Sequence, residues 1–565
     1  MEKSFYFYLI IVPLIFSSLS CQKSLPYDLT EQGFQNFLNH YETVIAPLMT
    51  SYNQSQWDAY ITGEQSYFER TNMFSLKIDS VYQDKDSFAY LNRLQQKGII
   101  EDPPLKRQLE ILINDYLSKQ IDPVLNKEIT ETSSKTEQIF ANFRAEYNGK
   151  TYTDNQVTQI LQTERDSKFR EEIWRAQKSI GDQVAPILIK LAKLRNESAR
   201  QLGYQNFYQF AMKSHELDPL QVENIFEQLH QLTEEPFMEV HRQIDEVFAR
   251  RYHIDKSEIR PWHYEDLFAQ SVPSIFDINL DTYYKNTDIP KVAADFYASA
   301  QLEVKDILAR SDLYEREGKS QHAFSFFIDR KQDIRILCNI IPNERWMETM
   351  LHELGHAVYD KYLDPSLPFI LREPAHSFTT EGIAMMFGGY SSNAAWIQKA
   401  LGISAAEKKK IEEVSRTNLR LSKLIFARWS MVVLNFEKAF YQNPDQDLNT
   451  LWWDMVEKYQ KIKPPDNPVG NEWASKVHIA TYPVYYQNYQ LGEIFASQVL
   501  NTIAQNIYQT KDIEKVIFWD KPQAGNFLKD KIFKVGKRLP WNDMIEAATG
   551  KPLSAEFFVR QYVHQ

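Results

Sequence analysis

The chain has 565 residues, of which 43% are apolar and 13% aromatic, and its formal net charge is −11. This hydrophobicity excludes an intrinsically disordered chain. An acidic chain without basic runs is also a poor nucleic-acid binder, because Lys and Arg contacts to phosphates supply most of that affinity.

Residues 1–20 are typical of a targeting segment. The apolar run from Phe5 to Phe16 is short for a membrane-spanning helix, which needs ~20 apolar residues. The run resembles a bacterial lipoprotein signal, which predicts cleavage before Cys21, a lipid anchor on Cys21 and a cell-envelope location facing the periplasm or the surface. Ser18 stands where such signals prefer an aliphatic residue, so an ordinary secretory signal is the alternative. The other cysteine is Cys338, so a lipidated Cys21 leaves no intramolecular disulfide.

Helical signals dominate from Leu25 onward and predict a mainly α fold. Residues 185–203 have the apolar spacing of an amphipathic helix, with Gly203 suited to its C-terminal end. The polar stretch 130–137 and the pair Pro103-Pro104 predict loops between helices.

Strand signals are sparse. The clearest predict a β-hairpin formed by Ala323–Ile328 and Asp333–Ile341. Directly after it, residues 342–360 predict an amphipathic helix. Its buried stripe repeats at i, i+3, i+4, i+7 and i+11, and consists of Met347, Met350, Leu351, Leu354 and Val358.

Off that stripe lie His352, Glu353 and His356, which read H-E-L-G-H. The i, i+4 spacing places both imidazoles on one side of the helix, where they can share a metal ion. Glu353 can reach a water on that metal. Neutral imidazole suits Zn²⁺, and a catalytic zinc site needs three protein ligands and an open position.

The third ligand is sought downstream of His356, where the metzincin pattern is absent. Glu381 lies in a second predicted helix for which Ser377 is a candidate N-cap. A carboxylate on that helix, packed against the first helix, completes a His-His-Glu site. Glu373 and His376 are the competing candidates.

Together these features resemble the angiotensin-converting-enzyme-like zinc peptidases (the peptidyl-dipeptidase A family of the gluzincin clan), and more distantly the oligopeptidases related to thimet oligopeptidase. The resemblance implies a single large helical ellipsoid over residues 21–565, with a deep central cleft and the hairpin beside the zinc helix. It also implies one Zn²⁺ per chain, held by His352, His356 and Glu381.

The resemblance extends to residues that would handle the peptide. A His-Ala pair precedes the first zinc histidine at the family's distance, and a Lys-x-His followed by two tyrosines matches further on. The catalytic residues implied are Glu353, His478 and Tyr489. The substrate-binding residues implied are His322, Ala323, Lys476 and Tyr486.

The same residues can be interpreted from their spacing. Lys476 and His478 are two apart, so in an extended segment their side chains point the same way. Tyr486 and Tyr489 share one face of a helix beginning at Pro483. Tyr482 and Tyr485 have the same spacing and form the alternative pair.

Three positions depart from the family pattern. No glutamine stands near Asp281 and Thr282, where the peptidyl-dipeptidases hold the substrate's C-terminal carboxylate. Asn488 replaces the chloride-binding arginine of the animal enzymes, so chloride activation is not implied. Met385 stands where the family often has an aspartate that supports a zinc histidine.

The sequence predicts a monomeric zinc metallopeptidase that hydrolyses oligopeptides from the C-terminal end, as dipeptidyl carboxypeptidases do. An endo-acting oligopeptidase is the alternative within the same chemistry. A non-catalytic nutrient-binding lipoprotein is the alternative from another class; such a protein needs aromatic platforms and no zinc.

Overall fold

A computed structural model describes residues 27–275, 279–467 and 470–563. The predicted targeting segment and Cys21 lie outside these ranges. In the part of the chain that is described, no helix combines the length and apolar character needed to cross a membrane. The fold there is mainly α, as predicted, with two small antiparallel strand pairs.

The first part of the chain contains ten helices and one strand pair within the described residues. They are α1 Glu31–Thr62, α2 Gln65–Tyr82, α3 Lys85–Lys97, α4 Pro103–Ser118, α5 Pro123–Asn142, β1 Ala145–Tyr147, β2 Lys150–Tyr152, α6 Asp154–Thr163, α7 Ser167–Lys178, α8 Ile180–Gln201, α9 Phe207–Ser214 and α10 Pro219–Tyr252.

The second part adds thirteen helices and the other strand pair, again counted over the described ranges. They are α11 Asp281–Tyr284, α12 Ile289–Ser299, α13 Lys305–Arg310, β3 Phe324–Phe327, β4 Ile334–Leu337, α14 Glu344–Lys361, α15 Ser377–Gly388, α16 Ala394–Leu401, α17 Ala405–Gln442, α18 Leu448–Gln460, α19 Val477–Thr481, α20 Gln487–Ile503, α21 Pro522–Lys531, α22 Trp541–Thr549 and α23 Glu556–Tyr562.

Two loop predictions are wrong. The polar stretch 130–137 lies inside α5, which begins after the N-cap Asp122 and packs against α8. Most of its polar residues lie at least partly exposed on one side of a packed helix, whereas Thr136 is buried. Pro103 and Pro104 open α4 behind the N-cap Asp102, where the missing N–H of proline has no helical partner to lose. The helix predicted over 185–203 is confirmed as α8.

The predicted hairpin is confirmed, with shorter strands. Phe324 pairs with Leu337 at one end and Phe327 with Ile334 at the other. Both strands pack against α14. Trp57 of α1 joins Phe326 and Leu337 in a small apolar cluster, so the hairpin is held between the N-terminal helices and α14.

A continuous apolar core runs through α14, α15 and α20. A Cβ on Gly355 of α14 would lie 2.7 Å from Cα of Ala384 in α15. A Cβ on Gly382 would lie 2.6 Å from the carbonyl oxygen of Gly492 in α20. Because these contacts leave no room for a side chain, the glycines let three helices that carry site residues approach closely.

Candidate active site

The helix that carries the H-E-L-G-H motif is α14. Asn343 caps it by accepting a hydrogen bond from the Trp346 backbone N–H at 2.8 Å. All five residues of the predicted apolar stripe are fully buried. His352 and His356 emerge on the other side, each with about a fifth of its side chain exposed or less. The predicted amphipathic helix is therefore confirmed.

The second helix, α15, is capped by His376 and not by Ser377 as predicted. The Nδ1 atom of His376 accepts a hydrogen bond from the Phe378 N–H at 3.1 Å, and Ser377 is the first helical residue. Glu381 follows one turn later on the side that faces α14.

The structure brings His352, His356 and Glu381 together. The two Nε2 atoms are 3.2 Å apart, and the nearer carboxylate oxygen of Glu381 lies 3.8 Å from His352 Nε2 and 3.9 Å from His356 Nε2. Among the described residues, these three form the one group of metal-ligating side chains within reach of a common ion.

The two competing ligands have other partners. Glu373 forms ion pairs with Arg330 and Lys537. His376 Nε2 lies 2.6 Å from the carbonyl oxygen of His215, to which it donates. Both side chains therefore contact residues outside the cluster of His352, His356 and Glu381.

The cluster fits a zinc ion. Ligand atoms about 2.0–2.2 Å from a tetrahedral zinc lie about 3.3 Å from one another, close to the spacing found here. Burial lowers the pKa of His352 to about 4 and the pKa of His356 well below its usual value, so both imidazoles are neutral as metal ligands must be. Burial raises the pKa of Glu381 to about 7, because it disfavours the charged carboxylate. A bound cation would favour the charged carboxylate and so offset this effect.

Thr380 supports the cluster from its neighbouring position on α15. Its Oγ1 lies 2.7 Å from Nδ1 of His356. A histidine that binds metal through Nε2 carries its proton on Nδ1, so this ring donates to the threonine hydroxyl. In this chain the contact to Nδ1 of His356 comes from Thr380, whereas Met385 carries a thioether.

Glu353 lies beside the ligands and is 8% exposed. Burial raises the pKa of its carboxyl to about 8, and the carboxylates of Glu381 and Glu348 add to the effect. A carboxyl group with this environment has a high affinity for a proton, which is what a general base needs.

Lys476 and Tyr486 meet at a residue that the sequence analysis missed. The Lys476 Nζ donates to Oε1 of Gln270 at 3.0 Å, and the Tyr486 hydroxyl donates to the same oxygen at 3.2 Å. The expectation that a glutamine partner is missing is therefore wrong. A sequence signal existed, because Gln270 is the only glutamine between Gln243 and Gln301.

The backbone around Lys476 differs from the prediction. Lys476 is the N-cap of α19, and His478 lies inside that helix, so the segment is not extended. Both side chains nevertheless face Tyr486: the Lys476 Nζ is 5.4 Å from the centre of its ring, and the His478 ring centre is 5.3 Å away. The helix of the tyrosines begins at Gln487 and not at Pro483.

His478 and Tyr489 are the two other residues predicted to be catalytic. Burial lowers the pKa of His478 to about 4, with Lys476 adding to the effect, so the ring is neutral. Its Nδ1 atom is buried without a hydrogen-bond partner in the described part of the chain. Glu381 adds to the effect of burial in raising the pKa of Tyr489, which places this phenol near the ligand cluster.

The four candidate tyrosines lie in different surroundings. Tyr486 donates to Gln270, and Tyr482 is 64% exposed. The Glu381 carboxylate adds to the effect of burial in raising the pKa values of both Tyr485 and Tyr489, whose ring centres are 5.7 Å apart. Tyr485, a member of the alternative pair, therefore neighbours Tyr489.

His322 and Ala323 lie at the start of β3. His322 is exposed, and its ring is 6.3 Å from that of Phe324. Within the described residues, β3 pairs as a strand only with β4, and Asn53 of α1 donates to the carbonyl oxygens of Phe327 and Ile328 at its far end. The structure thus places this pair immediately before β3, a strand that packs against α14.

The described fold is mainly α, and its α14 carries an H-E-x-x-H motif whose histidines cluster with Glu381. The Peptidase M2 family model, described as angiotensin-converting enzyme, matches residues 29–563. The chain belongs to this family.

Individual relatives agree with the family match. The angiotensin-converting enzymes of Mus musculus and Rattus norvegicus are each 23% identical to the chain over 92% of its length. The enzyme of the same name from Theromyzon tessulatum is 21% identical over 53% of the chain. The chain spans 42% of the mouse and rat proteins and 48% of the Theromyzon protein, less than half of each.

Proposed function

We propose that the protein is a zinc-dependent metallopeptidase that hydrolyses oligopeptides from the C-terminal end. The observation that carries the proposal is the cluster of His352, His356 and Glu381 with Glu353 beside it. Family membership supports both a peptidase and zinc as its metal.

The three clustered side chains would hold the ion. When bound, zinc supplies a Lewis acid that polarises the scissile carbonyl and lowers the pKa of an attacking water towards ~7. Thr380 fixes the orientation of His356 through the Nδ1 contact.

Proton transfer falls to Glu353. Its carboxylate takes the proton from the attacking water and returns it to the leaving amine. Tyr489 and His478 donate hydrogen bonds to the oxyanion that develops at the scissile carbonyl. This role is supported by two contacts of Tyr486, whose ring centre is 5.3 Å from that of His478 and 5.4 Å from that of Tyr489.

The substrate's C-terminal carboxylate is held by Lys476, Tyr486 and Gln270. The ammonium and phenol that now share Gln270 Oε1 would turn to the carboxylate, and the amide of Gln270 adds a donor of its own. This site favours release from the C-terminal end over endo cleavage. The segment of Ala323 that leads into β3, with His322 beside it, would pair with the peptide backbone as an added strand.

Zinc content and hydrolysis test the proposal together. Protein purified with one zinc per chain should cleave short peptides, lose the activity on chelation and recover it with added zinc. Zinc-loaded protein that cleaves no peptide, or protein that binds peptides without zinc, would support the nutrient-binding alternative. Equal cleavage of blocked and free C-termini would support an endo-acting oligopeptidase.

We further propose that the protein acts as a monomer in the bacterial envelope, with a lipid anchor on Cys21. The support is the sequence of residues 1–20 alone. Labelled palmitate should enter the wild-type protein and not Cys21→Ala. Equal labelling of both would contradict the anchor, and a soluble secreted product would support the ordinary secretory signal.

A further inference from the structure

The two tyrosines of the proposed site follow a backbone turn that is unusual for its residue. Residues 482–486, here called the tyrosine loop, join α19 to α20. Val484 within it has φ +55°, in the left-handed region that favours glycine. A β-branched residue adopts this conformation only where the surroundings enforce it.

A buried carboxyl group, that of Glu437, supports this conformation. Oε1 of Glu437 accepts a hydrogen bond from the Val484 N–H at 2.8 Å. Glu437 lies on α17 and is 2% exposed. On the next peptide unit, Gln487 Nε2 donates to the Val484 carbonyl oxygen at 2.8 Å. Val484 is thus held through both of its backbone polar groups.

A buried arginine holds the chain just before the tyrosine loop. Arg195 on α8 donates to the carbonyl oxygen of Ala480 at 2.9 Å and to the hydroxyl of Tyr441 at 3.2 Å. Arg195 is 7% exposed. Two long helices, α8 and α17, therefore fix the last turn of α19 and the middle of the tyrosine loop.

We propose that Glu437 is a positioning residue for Tyr486 and Tyr489, acting through the strained backbone of Val484. The inference rests on the proposed function, because it assigns those tyrosines to the carboxylate site and to the oxyanion. The tyrosine loop sets where α20 begins, so a relaxed Val484 would shift both phenols together. A shift of about 1 Å in a positioned group can lower a rate ~100-fold.

The hydrogen bond does not require a charged Glu437. Burial raises the pKa of its carboxyl to about 8, against the opposing effects of the Val484 N–H and Arg195, so the group is mainly neutral at pH 7. A neutral carboxyl and a carboxamide both present a carbonyl oxygen to an N–H donor. Glutamine is therefore the conservative replacement, and methionine removes the acceptor at similar length.

The test compares zinc-loaded variants in the same peptide assay. Glu437→Met should lower kcat about 10- to 100-fold with a smaller change in KM and one zinc retained per chain. Glu437→Gln should recover most of the loss. Lys438→Met is the matched control on the same helix, because Lys438 pairs with Glu223 and does not touch the tyrosine loop.

A second substitution isolates the role of the strain. Adding Val484→Gly to Glu437→Met should restore much of kcat, since glycine adopts a positive φ without support. Equal losses in the single and double variants would overturn the proposal, as would a wild-type kcat for Glu437→Met. If Glu437→Met does not fold, Glu437→Asp replaces it, because its shorter side chain cannot reach the Val484 N–H.

Amide exchange separates this inference from the proposed function. The Val484 N–H should exchange slowly in the wild type and at least about tenfold faster in Glu437→Met, whether or not the protein cleaves peptides. Unchanged exchange would overturn the positioning role. An inactive zinc-loaded wild type with the expected exchange difference would instead overturn the peptidase assignment alone.

Discussion

The hydroxyl oxygen of Thr380 lies 2.7 Å from Nδ1 of His356, so the residue immediately before one candidate ligand orients another. Glu381 and Thr380 project from the same turn of α15 toward α14. One short segment thus provides both a metal ligand and the support for a second ligand.

Thr380→Val should weaken zinc binding about 10- to 100-fold, because it removes the acceptor that fixes the His356 ring. The measurement is competition with a chromogenic chelator. Thr380→Ser keeps the hydroxyl and should stay within a few-fold of the wild type. An unchanged zinc affinity in Thr380→Val would contradict this role of Thr380 and show that α14 alone orients His356.

Alanine substitutions at Glu381, His376 and Glu373 test the ligand assignment. Glu381→Ala should lose most zinc affinity, because it removes one of three ligands. His376→Ala and Glu373→Ala should retain it, since those side chains bind His215 and the Arg330–Lys537 pair. Zinc lost from His376→Ala and kept by Glu381→Ala would show that the ligand set is wrong.

Glu373→Ala should act on stability instead. Burial would raise the pKa of Glu373, but Arg330 and Lys537 outweigh it and lower the pKa to about 2. The ion pairs therefore stabilise the fold above the usual carboxyl pKa and lose their effect as the pH falls towards 2. At pH 7 the substitution should cost about 3 kcal/mol of unfolding free energy, and the difference from wild type should shrink below pH 4 in thermal or urea unfolding. Equal stability at pH 7 would contradict the role of this pair.

The carboxylate site predicts a preference for free C-termini. A charge-assisted hydrogen bond contributes roughly 1.5–3 kcal/mol, so the wild type should cleave a free acid about ten- to a hundredfold better than its C-terminal amide. Lys476→Met should lose most of this preference, and Gln270→Leu part of it, while amide cleavage changes little. If the wild type cleaves the acid and the amide at equal rates, Lys476 does not bind the substrate carboxylate and has a structural role instead.

The same site predicts a pH dependence. Burial lowers the pKa of Lys476 to about 8, with Asp266 opposing the effect. Lys178, His478 and Tyr486 also lie near Lys476. A lysine with a lowered pKa is charged below that value and neutral above it, so kcat/KM for the free acid should fall as the pH rises through 8. The amide substrate should lack this decline, and a decline shared by both substrates would assign it to another group.

The parts of the site that the sequence predicted are those with a strong local pattern. The stripe of α14 and its His-Glu-x-x-His motif occur within one helix, where spacing alone fixes which residues share a face. Gln270 lies 206 positions before Lys476, and only the tertiary fold joins them. No sequence motif marks Thr380, because a threonine that supports a metal ligand has the same local sequence pattern as any other threonine.

Two of the wrong predictions have identifiable physical causes. The polar stretch 130–137 is helical because Asp122 caps α5 and one face packs on α8, which outweighs a composition typical of loops. His376 caps α15 in place of Ser377 because its ring nitrogen accepts the Phe378 N–H, a function more usual for shorter polar side chains. In each case tertiary packing or an uncommon cap decided the structure.

The central claim is that Glu353 moves the proton during peptide hydrolysis at a zinc site, and one rate measurement tests it. Glu353→Gln keeps the shape of the side chain and removes the proton acceptor. With one zinc per chain confirmed, this variant should hydrolyse a short free-acid peptide at least about 10²–10⁴ times more slowly than the wild type. A zinc-loaded, folded Glu353→Gln with near wild-type kcat would contradict the mechanism.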